Sequence, residues 1–322
     1  MKDIIIIGGG PIGMACGLAC EKRDLDYYII EKGVLVNSIF NYPLNMTFFS
    51  TSDRLEIGQI PFISQQNKPT RTEALEYYRK VAILKNLKVK LYEEVSEIKK
   101  HKNYFNVKTL KGQYKSKNIV IATGFYDSPY LLNVPGETLT KVRHYYSEPH
   151  PFFGMDLIIV GGANSAVDAA LENYRKGAKS VTLVIRENSI SKNVKYWVRP
   201  DIVNRIKDGE IKAYFNSNII EIKEKEVLIK TPKGKKKIKN DFVLAMTGYK
   251  PNFNMLTSLG VTYKKDQYKT PVYNKKTMES KVEGLYLAGV VCGGLKTNKW
   301  FIENSREHGR KIIDSVYKNL VK

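Results

Sequence analysis

The chain is short of cysteine, of acid and of long apolar stretches, and each shortage narrows what it can do. Its 322 residues carry three cysteines, Cys16, Cys20 and Cys292. That is not a disulfide framework. No Cys-x-x-Cys pair occurs anywhere, which argues against a dithiol relay to a thioredoxin-like protein. The four histidines, His101, His144, His150 and His308, are scattered, so no metal site is expected. No run approaches the ~20 apolar residues of a membrane span. The Met-Lys-Asp start leads into a short apolar run without the pattern of a secretory signal. The expectation is a cytoplasmic protein with no membrane partner. Asp plus Glu number 32 against 53 Lys plus Arg, a net charge of +21. The basic residues are spread along the chain. Their densest cluster, Lys233 to Lys239, surrounds a glycine and reads as the solvated tip of a hairpin. Neither a zinc-knuckle spacing nor an RNA-binding aromatic signature accompanies the charge, so nucleic acid is not an expected partner.

What is present is a pair of glycine loops. "DIIIIGGGPIGMACGLA" is a β-branched run, then Gly8-x-Gly10-x-x-Gly13, then helix formers. The run reads as a strand buried on both faces of a parallel sheet. The glycines allow a tight turn, close approach of backbone to a pyrophosphate and close helix–strand packing. The phosphates would rest on the helix N-terminus, where free N–H groups and the helix dipole favour anions. "DYYIIEK" supplies a second strand ending at Glu31, with Lys32 next. A carboxylate about 20 residues past the glycines suits ribose hydroxyls. The pattern recurs in "MDLIIVGGANSAVDAALE", with Gly161, Gly162, Asn164 and Ser165 at the turn. There the following strand, "KSVTLVIRE", ends at Arg186. A guanidinium at that place suits a 2′-phosphate and favours NADPH, although Glu187 follows it. Lys192 and Lys195 would add positive charge. Two such loops in one chain predict a bound FAD and a diffusing NADPH.

At this point the sequence resembles a known family. "IVIATGFYD" and "LAMTGYKPN" resemble the two domain crossings of flavoprotein disulfide reductases, and "GLYLAGV" their C-terminal flavin segment. The plan is similar to low-molecular-weight thioredoxin reductase. "NYPLNMTFFSTSDRLEIGQIPF", "KPTRTEALEYYRKV", "SEPHPFFGMDLIIVGGANSAVDAALE" and "FIEN" carry a closer resemblance, to the bacillithiol disulfide reductases. It covers nearly the whole chain. It implies flavin contacts from Gly8, Gly10, Pro11, Ile12 and Gly13, from Thr47, Phe48 and Ser50, from Ala122, Thr123 and Gly124, and from Gly289 and Val290. It also implies a homodimer or higher homo-oligomer. Three departures stand out. The second nucleotide domain lacks the thioredoxin reductase cysteine pair. Ile12 follows the Pro of the glycine loop, where many of these relatives have cysteine. Val290 likewise replaces the usual Asp of the flavin segment.

Cys16 is one helical turn beyond Ile12 and could substitute for that thiol, or be a small buried hydrophobe; Cys20 lies one turn further on and reads as inert. Cys292, three residues past Gly289, is a candidate catalytic thiol beside the flavin, its alternative being a packed residue. A helix from about Asn298 would aim its positive end there and lower the thiol's pKa. His144 and His150 flank the first crossing, where one could donate a proton.

The fold expected is therefore α/β, with two Rossmann-like three-layer nucleotide-binding domains. The FAD domain would comprise 1–125 and 246–322, with the NADPH domain, 126–245, inserted. "RTEALEYYRKVAIL" reads as an amphipathic helix and "WFIENSREHGRKIIDSVYKNL" as a closing one. Three functions fit. One is an NADPH oxidoreductase that reduces a low-molecular-weight disulfide such as bacillithiol disulfide. Another is a ferredoxin– or flavodoxin–NADP reductase docking an acidic electron-transfer protein on the basic surface. The third is a low-turnover flavin- or nucleotide-binding sensor.

Overall fold

The isoleucines at 4–7 form most of the central strand Lys2–Ile7 in the computed structural model, which describes residues 1–321. Ile4, Ile5 and Ile6 have no exposed surface. A strand covered on both faces has no reason to alternate polar and apolar residues, and this one does not.

The chain divides into two compact units. The first is Met1–Ser128 together with the chain from Tyr249 onward; the second is Pro129–Gly248. In the first, five strands run parallel in the order Val89–Lys90, Tyr27–Ile30, Lys2–Ile7, Gln113–Ile121, Leu285–Leu287. The N-terminal half of Gln113–Ile121 also pairs antiparallel with Phe105–Thr109, which pairs with Val95–Lys100. These three strands form a small antiparallel layer. In the second unit, Lys212–Tyr214, Ser180–Val184, Asp156–Val160, Phe242–Ala245 and Val142–Arg143 form a parallel sheet in that order. A three-stranded antiparallel sheet, Asn218–Ile222, Glu226–Thr231 and Gly234–Lys239, completes it.

The amphipathic helix forms as Arg71–Leu84, with Ala74, Tyr77, Tyr78 and Val81 buried. A reciprocal cap starts it: the Glu73 N–H donates to Thr70 Oγ1 (3.2 Å) and the Thr70 N–H donates to Glu73 Oε2 (2.8 Å). Thr70→Ala should cost about 1 kcal/mol, read as a lowered urea midpoint with an unchanged slope.

Two expectations need correction. Of the 233–239 cluster only Lys233 sits at the hairpin tip. The turn is at Thr231–Gly234, and Lys235, Lys236, Lys237 and Lys239 run along the exposed outer strand. Charge there discourages further strand pairing. The closing helix is two pieces, Ile302–Ser305 and Glu307–Leu320, starting four residues later than Asn298. The Asn304 side chain holds the preceding loop, accepting from the Phe301 N–H (2.7 Å) and donating to the Lys299 carbonyl (3.0 Å). At the break, the Arg306 guanidinium donates to the Asp53 and Glu56 carbonyls at 2.9 and 2.8 Å.

Candidate functional site

The first glycine loop has no room for side chains at two of its glycines. A Cβ on Gly8 would lie 2.5 Å from the Ala122 carbonyl oxygen, and one on Gly13 would lie 1.9 Å from that of Gly8. Strand, turn and helix are thus in direct backbone contact. Gly10 differs: nothing lies within 4 Å of its missing Cβ. It is the N-cap of helix Pro11–Glu21, with no side chain bonded to the cap. The N–H groups of a helix's first turn have no partner within the helix, so this end presents donors and positive potential to the space beside Gly10.

That space is a cleft of the first unit. Gly8, Gly10, Pro11 and Ile12 line it from the loop, Glu31 and Lys32 from the next strand end, Ala122, Thr123 and Gly124 from the third, and Gly289 and Val290 from the C-terminal segment. The Glu31 carboxylate is oriented from both sides. Its Oε2 accepts from the Gly9 N–H (2.7 Å) and its Oε1 from the Gly33 N–H (3.0 Å). Burial pushes its pKa up and these two donors oppose the shift. Each oxygen keeps a lone pair for a sugar hydroxyl. Lys32 pairs with Asp127, also on the cleft, at 3.0 Å.

Thr47, Phe48 and Ser50 do not line the cleft. Phe48 is buried in a separate apolar cluster with Leu55, Ala74 and Tyr77, and Thr47 bridges to Thr70. From this region it is Tyr42, with Asn37 and Ser38, that reaches the cleft. Tyr42 stands edge-on to Tyr126 at 5.0 Å, and Tyr126 packs on Tyr249 at 4.5 Å. All three lie in stretches that carry the family resemblance, but no spacing within those stretches marks the tyrosines themselves.

Cys292 was the candidate thiol of the sequence. It lies in the short 3₁₀ turn Gly289–Gly293 with no exposed surface, and it is not on the cleft. Burial pushes its thiol up despite the nearby Lys299, the reverse of the lowering expected. Cys16 and Cys20 are equally inaccessible, and burial raises the Cys16 thiol to about 12. Among the histidines, His308 is bonded to a residue of the cleft wall. It is 2% exposed, and its Nδ1 accepts the Gly289 N–H at 3.1 Å. It thereby fixes the backbone between Ala288 and Val290, two residues of the cleft wall.

The second unit repeats the loop. Gly161 takes φ +131°, and a Cβ there would sit 2.6 Å from the Met246 carbonyl oxygen. Helix Asn164–Arg175 starts without a side-chain cap, and Ser165 is exposed in its first turn. Asn164 holds the neighbouring loop, accepting from the Lys195 N–H (2.9 Å) and donating to the Asn193 carbonyl (3.1 Å). The Gly162 carbonyl accepts from the Ser191 N–H of the same loop at 2.9 Å. Arg186 is exposed and paired with Glu187 at 2.6 Å. Lys192 is exposed, whereas Lys195 is committed to Asp168 at 2.7 Å.

Two Gly-rich strand–turn–helix units, one with a buried carboxylate at the next strand end and the other with a cationic strand end, define a dinucleotide-dependent oxidoreductase. The chain belongs to the pyridine nucleotide-disulphide oxidoreductase family, whose pattern matches residues 5–289. It is a flavoprotein that takes electrons from a nicotinamide nucleotide and acts on disulfides. Over 321 residues it is 44% identical to bacilliredoxin reductase Bdr of Bacillus subtilis, covering 98% of each chain. It is 42% identical to the solved bacillithiol disulfide reductase Bdr of Staphylococcus aureus, with a TM-score of 0.96 over 99% of this chain and 98% of that one. Thioredoxin reductase of T. acidophilum shares the fold, with a TM-score of 0.78 at 22% identity over 100% of this chain and 99% of that one. No helix among the described residues is long and apolar enough to cross a membrane.

Proposed function

We propose that the first unit holds FAD, that the second holds NADPH, and that the electrons go to a low-molecular-weight disulfide of the bacillithiol disulfide kind. The observation that carries this is the full-length likeness to the Staphylococcus aureus bacillithiol disulfide reductase. The residues of the cleft fit FAD. Gly10 leaves open the space a pyrophosphate needs, the helix end beside it supplies N–H donors, and Glu31 stands ready for the ribose. When bound, the flavin supplies hydride acceptance from the nicotinamide and two-electron delivery to the disulfide. The protein's part is to hold and enclose it. Gly289 and Val290 present backbone in place of the usual Asp, and His308 keeps that backbone in position. Ile12 contributes an apolar wall at the position where many members of the resembling family have cysteine.

In the second unit, Arg186 and Lys192 are the cations for a 2′-phosphate. Arg186→Ala should raise KM for NADPH about tenfold, leave kcat nearly unchanged and leave NADH turnover unaffected, because the guanidinium would bind ground and transition states alike. The substrate is tested by aerobic NADPH consumption with bacillithiol disulfide against oxygen alone. A clear acceleration is expected, and its absence removes the substrate. The charge of +21 favours a second reading, an acidic electron-transfer protein as acceptor. Salt-sensitive reduction of ferredoxin or flavodoxin would select it.

A further inference from the structure

The second glycine loop is tied to the segment that follows strand Ser180–Val184, and the ties bracket one cation. The Ser191 N–H donates to the Gly162 carbonyl at 2.9 Å. Two residues on, the Asn193 carbonyl accepts from Asn164 Nδ2 at 3.1 Å, and the Lys195 N–H donates to Asn164 Oδ1 at 2.9 Å. Lys192 lies between these anchors and is exposed. The segment also closes on itself: the Val194 N–H donates to the Ser191 carbonyl (3.2 Å) and the Asn193 N–H to Ser191 Oγ (3.2 Å). Ile190 and Val194 seat it in the core of this unit. Lys192 is thus carried on a short turn of fixed backbone, set against the start of helix Asn164–Arg175.

Asn164 is the residue that makes this arrangement. An asparagine at a helix start commonly accepts from the helix's own first-turn N–H groups. This one does not, since the helix has no side-chain cap. Its amide spends both donor and acceptor on the 191–195 turn, and the first-turn N–H groups keep no side-chain partner. We propose that Asn164 is a positioning residue for the 2′-phosphate of NADPH: its amide fastens the 191–195 turn so that the Lys192 ammonium is presented beside the glycine loop, and it thereby sets the preference for NADPH over NADH. The inference rests on the NADPH reading above. Asn164 acts through Lys192 and needs no contact with the phosphate itself. An unfastened turn has to be ordered when the nucleotide binds, and that ordering is subtracted from affinity. NADH has no 2′-phosphate, so it gains little from Lys192 and loses little when the turn loosens.

The test compares the flavin-loaded parent with Asn164→Ala, Lys192→Ala and the double variant. Steady-state rates are taken with NADPH and with NADH, ferricyanide serving as electron acceptor. NADP binding is measured by calorimetry, and amide hydrogen exchange is followed in the nucleotide-free protein. Asn164→Ala should raise KM for NADPH about fivefold, weaken NADP binding by a similar factor and hold kcat within about twofold. The ratio of kcat/KM for NADPH to that for NADH should fall about fivefold. The Lys195 amide, having lost its acceptor, should exchange faster. With Lys192 already removed, Asn164→Ala should cost less than about twofold more. An asparagine that served only the folding of this unit would cost as much without Lys192 as with it, so additive losses would overturn the inference. So would an Asn164→Ala protein with the parent's NADP affinity and preference, or one whose Lys195 amide exchanges at the parent's rate. A parent that uses NADH as well as NADPH overturns the NADPH reading and the inference together. A parent that prefers NADPH, with additive losses in the double variant, overturns the inference alone.

Discussion

Gly13→Ala yields a destabilised protein that does not retain flavin, whereas Gly10→Ala yields a stable protein that binds flavin weakly. The two positions are three residues apart in one loop, and their surroundings are opposite. An added Cβ at Gly13 would meet the Gly8 carbonyl oxygen at 1.9 Å and its carbon at 3.0 Å, both backbone atoms. Backbone cannot rotate away as a long side chain can. The helix must therefore back off from the strand, opening a region where Ile4, Ile5 and Ile6 are fully buried. Overpacking of this kind costs roughly 1–3 kcal/mol or more. The shift also moves the helix end that would carry the pyrophosphate. At Gly10 the backbone is extended, with φ −72°, and no atom lies within 4 Å, so alanine folds without strain. Its methyl group occupies the space assigned to the phosphates. Thermal melts of the apoproteins should therefore separate the two variants, with Gly10→Ala near the parent and Gly13→Ala well below it. Flavin absorbance after purification should be low in both. Equal melting temperatures would contradict the packing argument, and full flavin content in Gly10→Ala would contradict the placement of the pyrophosphate.

The second large effect is on the pH dependence of stability. His308 is buried, its ring lies edge-on to Trp300 at 4.7 Å, and its pKa is lowered to about 4, first by burial and then by Lys311. The unfolded chain titrates this group near 6.5. Above that pH both states are neutral and His308 contributes no pH dependence. Between about 6.5 and 4 the unfolded state takes up a proton that the folded state refuses, so stability falls as the pH drops. The slope approaches about 1.4 kcal/mol per pH unit, and the loss by pH 4 is on the order of 3 kcal/mol. Protonation of Nδ1 would also replace the acceptor of the Gly289 N–H with a second donor. His308→Asn keeps an acceptor and has no proton to gain. Urea unfolding at pH 7, 6 and 5 should show the parent losing stability toward acid more steeply than the variant. The comparison cancels other titrating groups such as Glu31, whose raised pKa acts in the opposite sense. Parallel pH profiles would rule out His308 as the source.

The parallel strands and the two glycine loops were legible because they are local. A β-branched run, tight-turn glycines and a strand-end carboxylate are neighbours in sequence before they are neighbours in space. The rest of the cleft is assembled over long separations. Tyr42, Tyr126 and Tyr249 come from stretches far apart in the chain and meet only in the fold, and an aromatic residue gives no sign of whether it faces a cleft or a core. The same ambiguity attends Phe48, which the fold buries in an apolar cluster away from the cleft lining. Cys292 was singled out by its place three residues past Gly289, and no local pattern shows that the 3₁₀ turn Gly289–Gly293 buries it. His308 was one of four scattered histidines until the fold brought it to Gly289, nineteen residues back along the chain.

The central claim is that one chain passes electrons from NADPH through a bound flavin to a disulfide. Anaerobic stopped-flow spectroscopy of the purified protein tests it most directly. NADPH should bleach the flavin band, and bacillithiol disulfide, mixed in afterwards, should restore it as thiol is released. A protein that carries no flavin, or a flavin band that NADPH leaves unchanged, would contradict the account.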